Sequence, residues 1–167
     1  MSDRPRYRLV LAKEDFKFSA AHFTLWNDAR AELLHGHNYR VRLELSGSEL
    51  DDWGLLADIE GVKEVIRGLC RRLDSRTLVP AENPSLRWSR GEGAVEIGFG
   101  PRRYRFPEDD VLLLPLANTS IELLARHFWG ELAAYLRGLP GTRVEALAVS
   151  VEETAGQRCT YEAPLGA

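Results

Sequence analysis

The sequence predicts an α+β fold with a mainly antiparallel sheet. Three observations support this prediction: segments in which apolar and polar residues alternate, two segments with helical spacing of apolar residues, and the lack of a glycine-rich phosphate-binding motif after any predicted strand. The expected order is strand, strand, helix, inserted hairpin, helix, strand, with one further strand left open. A length of 167 residues suits one core, so we expect a single domain over residues 1–167.

Two strands are predicted near the N-terminus. Residues 7–18, YRLVLAKEDFKF, are rich in β-forming residues and continue into the sequence SAAH. The second strand is clearer, because apolar residues from Tyr39 to Leu45 alternate with polar ones. This alternation is typical of a sheet with one face exposed to water.

Two helices are predicted in the middle and later parts of the chain. Asp58 is the expected N-cap of the first, since apolar residues follow it at helical spacing. Thr119 and Glu122 form a predicted T-x-x-E capping box at the start of the second. The motif GLPG at residues 138–141 is expected to end that helix.

The segment between the helices, about residues 79–118, is too long for a bare loop in a compact domain. Within it, AVEIGFGPRRYRF is predicted to form an inserted β-hairpin that turns at Gly100 and Pro101. The last predicted strand, VEALAVSVEET, places Glu153 on the same face as its apolar residues.

Composition indicates the compartment in which the protein resides and the classes of partner that it lacks. A net charge of −3 argues against nucleic acid, and no apolar run approaches the roughly 20 residues of a membrane span. The N-terminus lacks the apolar region of a secretory signal. Cys70 and Cys159 alone cannot make a disulfide framework. We therefore expect a cytoplasmic protein without nucleic-acid or membrane partners.

A metal site is predicted where the second strand begins. His35 and His37 are two residues apart, so their rings project from one face about 6–7 Å apart along the strand. His22 joins them if the first two strands pair as a hairpin. Three neutral nitrogens without cysteine fit Zn²⁺ with one position left open, although other divalent metals also bind imidazole. The alternative is two surface histidines at a strand entrance, with the hydrogen bonds of His22 satisfied locally. His127, on the second helix, is expected at the surface or the rim.

The segments FKFSAAH and LHGHNYRVRLEL resemble the 6-pyruvoyl-tetrahydropterin synthase family, which includes the 6-carboxytetrahydropterin synthases. The resemblance continues through LADIEGVKEVI, RRLDSRTL, NTSIELLARHFW and VSVEET, and covers most of the chain outside the inserted hairpin. It implies the tunnelling fold (T-fold), an antiparallel sheet with two helices on one face. It also implies a homo-oligomer, a trimer or a dimer of trimers, with active sites between subunits and a small-molecule dihydropterin substrate.

The resemblance also implies roles for individual residues. The zinc ligands would be His22, His35 and His37. Glu153 would bind the pterin ring, which suits a carboxylate that accepts two parallel hydrogen bonds; the alternative is a solvated acid at a strand end. Thr119 and Ser120 lie near a threonine that contacts substrate in the family, although either can instead cap the helix.

Two departures from the family pattern bear on the chemistry. Ala31 stands where the family's catalytic cysteine is expected, and Glu32 lies three residues before His35. This E-x-x-H-G-H pattern is similar to a subgroup that cleaves the side chain of 7,8-dihydroneopterin to give 6-hydroxymethyl-7,8-dihydropterin. Ser75 replaces the histidine that follows Asp74, and serine cannot titrate near neutral pH. Asp74 would then act with water, the reaction would need fewer proton transfers, or catalysis has been lost.

Three functional hypotheses follow. The first is a zinc-dependent pterin lyase with Glu32 as general base and Asp74 as an assistant. The second is a 6-pyruvoyl- or 6-carboxy-tetrahydropterin synthase acting on 7,8-dihydroneopterin triphosphate. Three hairpin arginines are its candidate phosphate ligands, although a charged, exposed strand face is the favoured alternative for them (Arg102, Arg103 and Arg105). The third is a non-catalytic protein that binds zinc and pterin.

Overall fold

A computed structural model describes residues 5–166, which form two sheets and two helices. The strands are β1 (Tyr7–Leu11), β2 (Lys17–His22), β3 (His35–Gly47), β4 (Arg76–Pro80), β5 (Arg87–Gly91), β6 (Ala94–Phe99), β7 (Arg102–Pro107), β8 (Val111–Leu114), β9 (Ala146–Thr154) and β10 (Gln157–Pro164). The helices are α1 (Ile59–Leu73) and α2 (Ile121–Gly138).

The main sheet has the strand order β10-β9-β3-β2-β4-β8, and β1 also pairs with β3. The β2–β4 and β4–β8 pairs are parallel, whereas the other neighbours are antiparallel. Both helices pack on this curled sheet and share its large core. This arrangement confirms the predicted α+β fold. Neither helix in residues 5–166 has both the length and the apolar character needed to cross a membrane.

The single first strand predicted over residues 7–18 is wrong. β1 pairs with residues 43–47 of β3 and β2 pairs with residues 35–40, so two separate strands lie along the same edge of β3. Phe16 lies between them, is buried, and accepts a hydrogen bond from the N–H of Val41 (2.8 Å) through its carbonyl. The interruption changes the strand parity, so that Leu11 of β1 and Phe18 and Ala20 of β2 are all buried in the core.

The two helices differ in how well their starts were predicted. Asp58 caps α1 as expected and accepts hydrogen bonds from the N–H groups of Glu60 (3.0 Å) and Gly61 (3.5 Å). The capping box at Thr119 is wrong, because α2 begins at Ile121 with Ser120 as its N-cap. The Thr119 hydroxyl instead donates to the carbonyl of Phe23.

The segment between the helices forms a second sheet in the order β5-β6-β7. Its β6–β7 hairpin turns at Gly100 and Pro101, as predicted. β4 and β8, at the two ends of the segment, join the main sheet in parallel and were not predicted as strands. The inner face of the second sheet packs on the 23–34 loop, which connects β2 to β3. This second core contains Phe23, Leu25, Ala31, Val79, Leu86, Val95, Ile97, Phe99 and Val111.

Candidate metal centre

Three histidine rings meet where β2 ends and β3 begins. His22 pairs directly with His35 across the two strands, and His37 lies two residues further along β3. The ring centroids are 4.9 Å apart for His22 and His35, 5.3 Å for His22 and His37, and 4.7 Å for His35 and His37. The antiparallel register therefore brings together the three residues that strand parity placed on one face.

The hydrogen bonds of two rings fit metal ligation. His22 Nδ1 lies 3.1 Å from the carbonyl oxygen of Thr119, and His35 Nδ1 lies 2.7 Å from that of Leu33. A carbonyl partner on Nδ1 leaves Nε2 available as a ligand and orients the ring, as around many bound metals. The Nε2 atoms of His22 and His37 are buried and have no hydrogen-bond partner within residues 5–166. A metal ion would satisfy these nitrogens.

Glu153 is the fourth member of the group. Its Oε1 lies 3.1 Å from His37 Nε2, but the angles do not make a hydrogen bond. One potential ligand atom from each of the three histidines and Glu153 lies within 4.8 Å of all the others. The neighbouring Glu152 turns its carboxylate to the N–H of Gly156 (3.4 Å), so Glu153 is the acid of this strand that joins the group.

Burial affects the charge of His22. The ring is only 1% exposed, and burial, reinforced by the nearby His35, lowers its pKa to about 4. His22 is therefore neutral at pH 7. A neutral imidazole is the form that binds a metal.

Glu32 lies on the 23–34 loop, near enough to His35 and His22 for both to act on its pKa. Burial acts to raise its pKa, but hydrogen bonding from Thr24 together with the nearby His35 and His22 outweighs burial, and the pKa of Glu32 lies below the usual value for glutamate. Thr24 donates its backbone N–H to Glu32 Oε2 (3.0 Å), and the backbone N–H of Glu32 donates to the Thr24 carbonyl (2.9 Å). The group is therefore a carboxylate at neutral pH and can accept a proton.

Ala31 is 6% exposed and belongs to the second core. A side chain at this position packs among apolar residues of the inserted sheet, such as Val95 and Phe99. The position at which the family's cysteine was expected is thus part of a core in this chain, and Glu32 is the neighbouring residue that carries a reactive group.

Asp74 lies outside the histidine group in this chain. Its carboxylate accepts the backbone N–H of Ser19 at 2.7 Å and contacts the Ser75 hydroxyl at 3.4 Å. Ser19 has the opposite strand parity to His22, and its hydroxyl donates to Asn38 on the exposed face of the sheet. Asp74 therefore faces a different surface from the four grouped side chains.

Thr119, just before α2, supports the site rather than lining it openly. Thr119 is fully buried and uses its hydroxyl on Phe23 and its carbonyl on His22. Ser120 is half-buried, and its side chain makes no capping hydrogen bond. His127 is half-buried, and its Nε2 atom lies 3.5 Å from Nη2 of Arg72. Sequence reasoning missed the contact between Thr119 and His22, because a backbone carbonyl leaves no mark in the sequence.

Tyr39 is a further residue that sequence reasoning treated only as part of a strand. Its ring lies 5.9 Å from the ring of His22 and 5.8 Å from that of His37. Its hydroxyl is buried without a hydrogen-bond partner in the described chain. Burial, with Glu153 and Glu32 nearby, raises the pKa of Tyr39. The phenol therefore stays neutral beneath the histidine group.

Comparisons with known proteins agree with this site and fold. The family described as 6-pyruvoyl tetrahydropterin synthase matches residues 11–164. The 6-carboxy-5,6,7,8-tetrahydropterin synthase of Bacillus subtilis is 28% identical over 154 residues, which cover 92% of this chain and 85% of the relative.

Solved structures give the same result. The 6-pyruvoyl tetrahydropterin synthase of Plasmodium vivax is 27% identical, with a TM-score of 0.88 over 96% of this chain and 99% of that chain. A variant of the Plasmodium vivax enzyme, in which a catalytic glutamate is replaced by alanine, is 26% identical with the same TM-score and coverage. The likeness confirms the tunnelling fold. The chain therefore belongs to the 6-pyruvoyl tetrahydropterin synthase family, whose members act on small-molecule pterins.

Proposed function

We propose that this protein is a zinc-dependent pterin lyase that converts 7,8-dihydroneopterin, or its phosphate, to 6-hydroxymethyl-7,8-dihydropterin. The observation that carries the proposal is the position of Glu32. It is an ionised acid close enough to His35 and His22 for both to lower its pKa, whereas the neighbouring position 31 is buried in an apolar core. The chain thus offers a carboxylate, and no thiol at that position, as the proton acceptor.

Zinc is the metal that best fits the donor set. Three neutral imidazoles are typical of catalytic zinc sites, and the unpartnered nitrogens of His22 and His37 support this assignment. When bound, zinc would polarise hydroxyl oxygens of the pterin side chain. His35 is oriented for the same task by the Leu33 carbonyl.

Glu32 is proposed as the general base. It would remove the proton of the 2′-hydroxyl, so that the C2′ oxygen becomes a carbonyl as the C1′–C2′ bond breaks. The electron pair of that bond passes to C1′ and the conjugated pterin ring, and a proton then returns to C1′. The products are 6-hydroxymethyl-7,8-dihydropterin and glycolaldehyde. General base catalysis by a positioned carboxylate contributes about 10²–10⁴-fold in rate.

Glu153 and Ser120 are proposed to bind the substrate, with Thr119 holding His22 beneath them. A carboxylate accepts two parallel hydrogen bonds from the ring N–H and amino group of a pterin. We propose that Asp74 of one subunit assists the return of the proton at the site of a neighbouring subunit. Within its own chain, Asp74 faces a different surface from the histidine group. We propose a trimer or a dimer of trimers, which would cover the sheet edges at β8 and β10.

The comparisons give indirect support to a catalytic glutamate. In the Plasmodium vivax enzyme, which is similar to this chain over almost its whole length, a glutamate is a catalytic residue. A glutamate can therefore carry out the chemistry of this fold, which supports the role proposed for Glu32.

A second candidate is synthesis of 6-pyruvoyl- or 6-carboxy-tetrahydropterin from the triphosphate, which the names of the similar proteins favour. The hairpin arginines argue against phosphate binding there. Arg102 donates to loop carbonyls, Arg103 donates to the carbonyls of Gly100 and Arg102, and Arg105 lies near two glutamates. Ser75 also lacks the titrating group that histidine would supply. The third candidate is a non-catalytic zinc- and pterin-binding protein.

The three candidates are separated by one product analysis. The zinc-loaded protein is incubated with 7,8-dihydroneopterin and, separately, with its triphosphate, and the products are resolved by chromatography with fluorescence detection. We expect 6-hydroxymethyl-7,8-dihydropterin and an equal amount of glycolaldehyde. Carboxy- or pyruvoyl-tetrahydropterin from the triphosphate alone would support the synthase. Binding of either pterin without turnover would support the non-catalytic protein.

A further inference from the structure

The inserted sheet contacts the loop that carries Glu32 through one arginine. Arg102, the first residue of β7, donates from Nη2 to the carbonyl oxygen of Ala31 at 3.0 Å and from Nη1 to the carbonyl oxygen of Glu32. The side chain is half-buried. Seventy residues of sequence separate Arg102 from Glu32, so the contact depends on the folded insert.

We infer that Arg102 is a positioning residue, which sets the direction of the Glu32 carboxylate by holding the main chain on both sides of it. The inference rests on the proposed role of Glu32 as a base. The carbonyl of Ala31 belongs to the peptide plane before the Glu32 Cα atom, and the carbonyl of Glu32 belongs to the plane after it. One rigid, planar guanidinium therefore holds both planes.

Apolar packing alone would not fix the direction of the Glu32 carboxylate. Ala31 and Leu25 anchor the loop in the second core, but hydrophobic burial has no preferred direction. Asn118 fixes the loop further back, through hydrogen bonds with the N–H (3.1 Å) and the carbonyl (2.7 Å) of Leu25. The Thr24 carbonyl accepts the N–H of Glu32 and so acts on the peptide group before it, whereas Arg102 acts on the peptide groups on both sides. Errors of about 1 Å in the place of a catalytic group can cost 10²-fold in rate.

The arginine acts on the main chain and leaves the carboxylate available. Glu32 Oε2 accepts the backbone N–H of Thr24, and the charged groups that act on the pKa of Glu32 are His35 and His22. Replacement of Arg102 should therefore change where Glu32 lies more than how acidic it is. The inserted sheet would then serve as the support of the proposed base.

The test compares Arg102→Gln and Arg102→Lys with Arg90→Gln as a matched control. Arg90 lies in the same sheet and its guanidinium pairs with Glu108, not with the loop. We expect Arg102→Gln to lower kcat by about 10- to 100-fold with KM and zinc content unchanged. Arg102→Lys should recover part of the rate because it keeps one donor, and Arg90→Gln should match the wild type.

A double-mutant cycle with Glu32→Gln identifies the route of the effect. If Arg102 works through Glu32, adding Arg102→Gln to Glu32→Gln causes no further loss of rate. A loss of the same size in both backgrounds would overturn the inference and would indicate direct contact with substrate. An unchanged rate in Arg102→Gln would overturn it as well.

Amide hydrogen exchange gives a readout that does not need turnover. We expect faster exchange over residues 24–34 in Arg102→Gln and wild-type exchange there in Arg90→Gln. Unchanged exchange in Arg102→Gln would overturn the inference even if every variant were active. If the wild type turned over no pterin while exchange rose as expected, the proposed function would fail and the anchoring of the loop by Arg102 would stand.

Discussion

At the scale of single residues, the proposed chemistry depends on two acids in different surroundings. Hydrogen bonding from Thr24 and the nearby His35 and His22 lower the pKa of Glu32 against the effect of burial. Glu153 lies 3.1 Å from His37 Nε2 and is close enough to the histidines to share a metal with them. One acid is assigned to proton transfer and the other to the pterin ring, and separate substitutions test each assignment.

Glu32→Gln should lower kcat by about 10²–10⁴-fold, because the amide cannot accept a proton. Zinc content and the affinity for pterin should remain close to wild type, since neither depends on that charge. Steady-state kinetics with metal analysis measure both quantities. Glu14→Gln is the matched control, because Glu14 is exposed and pairs only with Arg40 among the described residues. A Glu32→Gln variant as fast as the wild type would remove Glu32 from the mechanism.

Glu153→Gln should raise KM about 10- to 100-fold with zinc retained, because hydrogen bonds to a charged group are worth about 1.5–3 kcal/mol. Glu152→Gln is the control, since that carboxylate faces Gly156 on the other side of the strand. Kinetics and zinc analysis are measured on the same samples. Loss of zinc with an unchanged KM would mean that Glu153 is a metal ligand and not the pterin anchor.

At the scale of secondary structure, the register between strands builds the site. Strand parity was sufficient to predict that His22, His35 and His37 share a face. It did not predict the pairing of His22 with His35, which depends on the interruption at Phe16. The parallel strands β4 and β8 were missed because VLLL and the end of RTLVP are short apolar runs without alternation.

Contacts between residues that are distant in sequence also could not be predicted from the sequence. The predicted capping box does not form, because the Thr119 hydroxyl donates to the carbonyl of Phe23, 96 residues away. Arg102 was a candidate for phosphate binding, whereas the fold places it on the carbonyls of Ala31 and Glu32. Local propensity describes single elements, and these contacts exist only after the elements pack together.

Close packing at the end of β3 gives a prediction about two glycines. A Cβ atom on Gly47 would lie 2.2 Å from the carbonyl oxygen of Arg143, whereas one on Gly130 in α2 meets nothing within 4 Å. Gly47→Ala should therefore destabilise by about 1–3 kcal/mol through overpacking. Gly130→Ala should stabilise by up to about 1 kcal/mol through helix propensity. Thermal midpoints should move in opposite directions; a shift in the same direction would contradict the packing described here.

At the scale of the whole molecule, the buried histidine links folding to pH. In the metal-free protein, the unfolded chain protonates His22 below its ordinary pKa of 6.5, but the folded chain does so only near 4. The unfolded state therefore binds more protons between these values, and stability falls as the pH falls from 6.5 to 4. The difference corresponds to about 3 kcal/mol.

Denaturant titrations of the metal-free protein across this pH range measure the effect. His22→Asn should flatten the slope, because it removes the group whose pKa burial lowers most. His127, whose pKa burial also lowers, adds to the slope in the same sense, so the difference between the two proteins is the quantity of interest. Equal slopes in the wild type and in His22→Asn would show that His22 is not buried as described.

The binding of metal by the three histidines is the central claim, and metal stoichiometry tests it most directly. Protein reconstituted with zinc and desalted is analysed by mass spectrometry of the metal, alongside the variants His35→Ala and Glu32→Gln. We predict one zinc per chain in the wild type and in Glu32→Gln, and loss of zinc in a folded His35→Ala. A wild type without stoichiometric zinc, or a His35→Ala that retains it fully, would contradict the account.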